Sequence, residues 1–261
     1  MKSWKEYQKL RMKKYRDTWR LFTVEGVRLC QEALTAGWPV EAAFCSESFL
    51  SSENYEVLLK TLKKEGLSLT TLKENSFKKL AETEQPQGIL LVISIPEVNN
   101  EQTLSFAGSN LILVLDGIRD PGNMGTLIRS ADWFGVDMII SSSDAVDYYN
   151  PKVVRASMGS IFHIKLLTAE NISDIILNLK KQKFQVISTS PSSTKSIADI
   201  QVRSPVALIL GGEAEGVAQD LQKIADENIV IKKYGKAESL NVSVAGGILL
   251  QTLADKIFSG S

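Results

Sequence analysis

The chain has 261 residues, 44% of them hydrophobic and 23% charged, and its 30 Lys/Arg balance 30 Asp/Glu. These proportions exclude a disordered or fibrous chain and leave room for one large domain or two ordinary ones. No apolar run approaches the length of a bilayer, and two cysteines make neither a disulfide framework nor a four-ligand zinc site.

The start, "MKSWKEYQKLRMKKYR", offers no secretory hydrophobic segment, so a cytoplasmic protein is expected, with Cys30 and Cys45 buried as reduced thiols. Residues 1–20 hold eight Lys/Arg against Glu6 and Asp17, a net charge of +6 that leaves −6 on the remainder. A basic arm on an acidic body suits a polyanion such as RNA, with Arg11, Lys13, Lys14 and Arg16 as candidate contacts. Trp4, Tyr7, Tyr15 and Trp19 are interleaved with these cations. They could stack on unpaired bases or pack down as the apolar side of a helix, and the segment alone leaves both open.

Residues 20–26, "RLFTVEG", read as a strand and 27–37 as a helix with a Gly stop. Strands at 39–46, 67–72 and 88–95 alternate with helices at 54–66 and 74–83, making a small α/β domain over residues 1–95. Residues 96–109 lose both periodicities and read as a linker. Over 110–261 the alternation resumes, with strands at 111–115, 137–141, 184–189, 206–210 and 228–232. Helices are expected at 123–134, about 150–158, 171–182, 217–226 and 240–258. That order predicts a mainly parallel sheet covered on both faces, with its ligand site at the carboxyl ends of the strands.

Three turns at strand ends carry unusual residues. In "DPGNMGTLIR" Asn123 reads as a helix N-cap, and Met124, Leu127, Ile128, Ala131 and Phe134 share one apolar stripe. Arg129 falls about 160° from the centre of that stripe, with Thr126 and Trp133 near it. A tryptophan there points to a covered surface, whether a second subunit or substrate. "VALILGGEAEGV" drops from a strand into Gly211 and Gly212, then Glu213, and paired glycines permit close approach of backbone to a ligand. "KKYGKAESLNVSVAGGILL" offers Glu238, Ser239 and Asn241 at a helix start, with Ser239 read as the cap and 245–247 small enough for close packing. No dinucleotide or NTPase glycine motif is present, and the only histidine, His163, sits among apolar neighbours and reads as packed.

"DPGNMGTLIRSADWFG", "LILGGEAEGV" and "ESLNVSVAGGILL" resemble, in order, the three motifs of the SpoU-type (TrmH-like) RNA ribose 2′-O-methyltransferases of the SPOUT class. "KYRDTWRLFTVEGVRLCQEALTAG" and "ETEQPQGILLVI" resemble that family's ribosomal-protein-like RNA-binding extension. The resemblance implies a trefoil knot in the C-terminal domain, a homodimer, and methyl transfer from S-adenosylmethionine to a ribose 2′-hydroxyl without a metal. Ribosomal RNA is the preferred substrate, transfer RNA the alternative; a non-catalytic RNA binder that keeps the fold is a further one. By motif, Gly211, Ile231 and Leu240, with Gly212 beside them, match cofactor-holding positions. Asn123, Arg129, Glu213, Ser239 and Asn241 match the polar catalytic set, with Glu213 expected to hold Arg129 or Asn123. Arg129 is the family's candidate base, although a guanidinium suits phosphate binding and alkoxide stabilisation better. The chain departs from the family at Ile231-Lys232-Lys233, where Ile-Pro-Met is usual; the change places two cations beside a cationic cofactor.

Overall fold

The computed structural model describes residues 2–52, 55–96, 105–213 and 215–258. It divides into two compact units, Met1–Glu97 with Asp147–His163, and Val98–Val146 with Ile164–Ser261.

The first unit begins with α1 (Trp4–Tyr7) and α2 (Lys13–Trp19), followed by β1 (Leu21–Glu25), α3 (Val27–Thr35), β2 (Val40–Ser46), α4 (Tyr55–Lys64), β3 (Leu69–Leu72), α5 (Glu74–Leu80) and β4 (Ile89–Ser94). The sheet order is β1-β4-β2-β3, with β4 antiparallel to both neighbours and β2 parallel to β3. β4 is central, which is why "ILLVI" is apolar without alternation. Cys30 and Cys45 are buried and unbridged as expected, and burial pushes both thiols up, away from reactivity.

The aromatic residues of the basic arm pack down. Tyr7 and Leu10 are fully buried, Tyr7 lies edge-on to Phe44 at 5.8 Å, and Trp4 and Trp19 pack against the same core. Two of the four arm cations expected to meet RNA are committed to the fold. Arg16 is 2% exposed; its Nε and Nη2 donate to Asp147 Oδ2 at 2.8 and 2.6 Å, and its Nη1 donates to the Leu10 and Arg11 carbonyls. Arg11 donates to the Lys79 and Ala81 carbonyls and pairs with Glu82 at 3.2 Å. Lys13 and Lys14 are exposed, Lys13 beside Asp17.

The second unit contains β5 (Leu111–Asp116), α6 (Pro121–Trp133) and β6 (Met138–Ser142); the next helix, α7 (Pro151–Ala156), belongs to the first unit. Then follow β7 (Lys165–Ala169), α8 (Ile172–Lys181), β8 (Gln185–Thr189), β9 (Val206–Gly211), α9 (Gln219–Ile224), β10 (Glu227–Ile229) and α10 (Val242–Phe258). Six strands in the order β10-β8-β9-β5-β6-β7 pair in parallel throughout. Ile112, Val114, Ala207 and Ile209 pack with α8 and α9 on one face. On the other, Leu127 of α6 and Leu210 crowd Gly246 of α10, where an added Cβ would meet them at 2.5 and 3.0 Å. Glycine at 246 lets α10 approach α6 this closely.

Several expectations are corrected. The domain 110–261 is interrupted, because 147–163 packs with the first unit: Asp147 holds Arg16, the Tyr149 ring packs at a tilt against Phe22 with centroids 4.8 Å apart, and the Phe162 carbonyl accepts from Trp38 Nε1 at 3.1 Å. Much of the linker, residues 97–104, lies outside the described residues. Its far end is core, since Phe106 is buried among the α8 side chains. β7 was not anticipated; as an edge strand its "KLLTA" is only partly apolar. The strand expected at 228–232 ends at Ile229, and Val230 turns its N–H to the Lys195 carbonyl. His163 is exposed rather than packed, its Nε2 2.9 Å from Glu32 Oε1.

Candidate active site

The three strand-end turns meet within the second unit. α6 starts at Asp120, whose carboxylate accepts from the Asn123 N–H at 2.8 Å, with Pro121 preset for the first turn. Asp120 is thus the cap, and the Asn123 side chain is free for other work. It lies in the first turn and donates from Nδ2 to Glu213 Oε1 at 2.6 Å. At α10 the cap is Asn241, not Ser239: its Oδ1 accepts from the Ser243 and Val244 N–H groups and the Ser243 hydroxyl. Capping fixes which end of the Asn241 amide faces the helix, so Nδ2 must face the other way. There it donates to Asn123 Oδ1 at 2.9 Å and Glu213 Oε1 at 3.0 Å.

The result is a closed triangle of two carboxamides and one carboxylate. One Asn123 Nδ2 hydrogen and the Glu213 Oε2 have no partner among the described residues, so the triangle can donate to one polar group and accept from another. Ser239 and Arg129 lie outside it. Ser239 is on the exposed loop before the cap. Arg129 is on the outward side of α6, about 9 Å along the axis from Asn123, and makes no hydrogen bond or ion pair among the described residues. Glu213 therefore holds Asn123 and not Arg129. The stripe reading of α6 agrees with the structure for Met124, Leu127, Ile128 and Ala131, all fully buried, while Phe134 lies just past the helix and is half-buried and Trp133 is 83% exposed.

Two cavities share Glu213 of the triangle in their walls. The larger, about 620 Å³, is lined by Gly211, Gly212, Glu213, Ile231, Ser239 and Leu240 together with Thr189, Pro191 and Leu210. The smaller, about 350 Å³, is lined by Asn123, Glu213, Asp116, Arg119, Asp120 and Asp144. Asp116, Arg119 and Asp144 were not singled out from the sequence, although the carboxyl ends of parallel strands were the place to look. Burial raises the Asp116 carboxyl above its usual range against the Ala218 N–H that donates to it. Hydrogen bonds from Ser142 and Arg119 lower that of Asp144.

The fold itself also requires the glycine pair. A Cβ on Gly211 would fall 1.9 Å from the Gly216 carbonyl carbon, and one on Gly212 2.5 Å from the Gly117 oxygen. Backbone presses on backbone here, and that contact shapes the floor of both cavities. Gly211→Ala is expected to destabilise the protein by about 1–3 kcal/mol, read as a lower urea midpoint with unchanged slope; an unchanged midpoint would mean the turn opens freely.

Residues 110–251 match the model of the SpoU rRNA Methylase family, and residues 2–91 match an MRM3-like substrate binding domain. The chain belongs to the SpoU rRNA methylase family. Among its relatives, the 23S rRNA (guanosine(2553)-2′-O)-methyltransferase RlmP of Bacillus subtilis is 32% identical over 95% of this chain and 94% of its own. The crystal structure of an RNA 2′-O ribose methyltransferase superposes with a TM-score of 0.82 at 31% identity, covering 97% of this chain and 95% of that one. An AdoMet-bound rRNA methyltransferase from Sinorhizobium meliloti gives 0.84 at 28% identity, covering 98% and 94%. In this SpoU family chain all three motifs supply the triangle or the cavity walls around it.

Proposed function

We propose that this protein transfers a methyl group from S-adenosylmethionine to a ribose 2′-hydroxyl of ribosomal RNA, acting in the cytoplasm as a homodimer with the trefoil knot its family resemblance implies. The observation that carries this is the Asn123–Glu213–Asn241 triangle, built from three motifs far apart in sequence, whose Glu213 lines two cavities.

The larger cavity fits the cofactor. Its volume lies in the range of small-molecule sites, about 300–1,000 Å³, and its wall pairs apolar Leu210, Ile229 and Leu240 with a stretch, 231–240, that belongs to no helix or strand. Gly211, Gly212, Ile231 and Leu240 would hold the cofactor. When bound, S-adenosylmethionine supplies a methyl already activated by its sulfonium. The Lys232 charge is partly balanced by Asp199 at 3.5 Å, which lessens its conflict with that cation.

The chain must orient a weak nucleophile and accommodate its proton. Asn123 and Glu213, each with free capacity, can bind the ribose hydroxyl, and Asn241 locks both in place. Arg129 would bind the neighbouring phosphate and stabilise the developing alkoxide. Ser239, one residue from Leu240, would contact the cofactor rather than the hydroxyl. Lys13 and Lys14 would meet RNA; Arg11 and Arg16 would support the fold that presents them. No cluster of potential metal ligands occurs among the described residues.

Mapping ribose methylation in cellular RNA with and without the gene tests the reading. One 2′-O-methyl group should vanish from 23S rRNA, and loss from transfer RNA alone, or from nothing, would overturn it. The dimer rests on Trp133 and on Val244 and Ile248 of α10, all exposed on the two helices that pack at Gly246. Trp133→Glu should shift sedimentation from dimer to monomer; an unchanged profile would remove this face from the interface.

A further inference from the structure

The loop 232–236, "KKYGK", begins with the two lysines that depart from the family pattern, and beyond the Lys232–Asp199 pair its side chains are exposed. Tyr234 is 94% exposed, the most exposed large hydrophobic side chain described, and it makes no hydrogen bond or ring contact among the described residues. Lys232, Lys233 and Lys236 are exposed around it, on a chain whose residues beyond the first twenty are net acidic. The loop is also anchored at the reaction site. Lys232, Lys233 and Tyr234 line the larger cavity, and Glu213 of the triangle lines the same cavity. Exposed aromatic rings set among cations are how proteins hold unpaired nucleotides: the ring stacks on a base and the cations track the phosphates.

We propose that Tyr234 is a substrate-positioning residue, stacking on an unpaired base beside the target nucleotide while Lys233 and Lys236 hold the flanking phosphates. This rests on the reading of the protein as an RNA methyltransferase. Only the ring face is required of Tyr234, since its hydroxyl has no partner to lose. Lys232 contributes less, because Asp199 already engages it.

The test uses the full chain and a fluorescein-labelled transcript of 23S rRNA spanning guanosine 2553, the nucleotide for which the B. subtilis relative RlmP is named. Tyr234→Ala should weaken RNA binding about tenfold or more, the scale of one lost stack, and raise KM for the transcript with kcat changed less. Tyr234→Phe should restore wild-type binding. Because Tyr234 also lines the larger cavity, calorimetry should show cofactor affinity falling far less than RNA affinity in Tyr234→Ala. Lys233→Ala should lower the slope of log affinity against log salt by about one, whereas Tyr234→Ala should leave that slope unchanged. Unaltered RNA affinity in Tyr234→Ala, failure of Phe to rescue it, or a loss confined to cofactor affinity would overturn the assignment. A wild-type protein that binds the transcript through Tyr234 yet methylates no RNA would instead overturn the enzymatic reading and leave this one standing.

Discussion

Arg129→Ala is expected to abolish methyl transfer, by about 10²–10³ in kcat or more, while leaving the protein folded and its cofactor affinity intact. The side chain is exposed on α6 and makes no hydrogen bond or ion pair among the described residues, so its removal should change stability by no more than about 0.5 kcal/mol. It lies outside both cavities, so the loss should appear in turnover and RNA affinity and not in a calorimetric cofactor titration. Retained turnover would remove Arg129 from the mechanism. Asn123→Ala differs in kind: it also strips partners from Glu213 and Asn241. The two variants thus separate a group that acts alone from one that acts through a network.

The largest effect on stability is expected from Asp147→Ala. It would leave the Arg16 guanidinium buried with only the Leu10 and Arg11 carbonyls as acceptors. Breaking a buried pair from one side costs about 3–5 kcal/mol, a fall in Tm of about 6–20 °C at 2–4 °C per kcal/mol. The double variant Arg16→Met, Asp147→Ala should recover part of that loss, because it removes the stranded charge. Scanning calorimetry on the two proteins decides; a double variant no more stable than the single one would show that the pair orders this region for reasons beyond its charge.

The centre of the parallel sheet was legible because β5 and β9 are unbroken apolar runs, whereas the edge strand β7 was not, and α6 because its stripe obeys the helical period. Helix starts were not, since two residues able to cap stood close together at each. Pro121 and the Asp120 carboxylate decided the first, and the three donors around Asn241 Oδ1 decided the second. Which residues would meet was legible only through the motif resemblance, for Asn123, Glu213 and Asn241 are brought together by β5 pairing β9 and by α10 packing on α6. The arm misled for a physical reason. Composition registers the charge of Arg11 and Arg16, but not that carbonyls and carboxylates 68 to 131 residues away absorb it.

The segment Asp147–His163 completes the first unit from the middle of the chain, and this bears on how the protein is made and taken apart. During synthesis Arg16, Phe22 and Trp38 must wait for more than a hundred further residues before their partners leave the ribosome. A fragment cut at residue 97 would carry a stranded cation and open aromatic faces. To transplant the first unit onto another catalyst, an engineer would have to bring residues 147–163 along as a second piece.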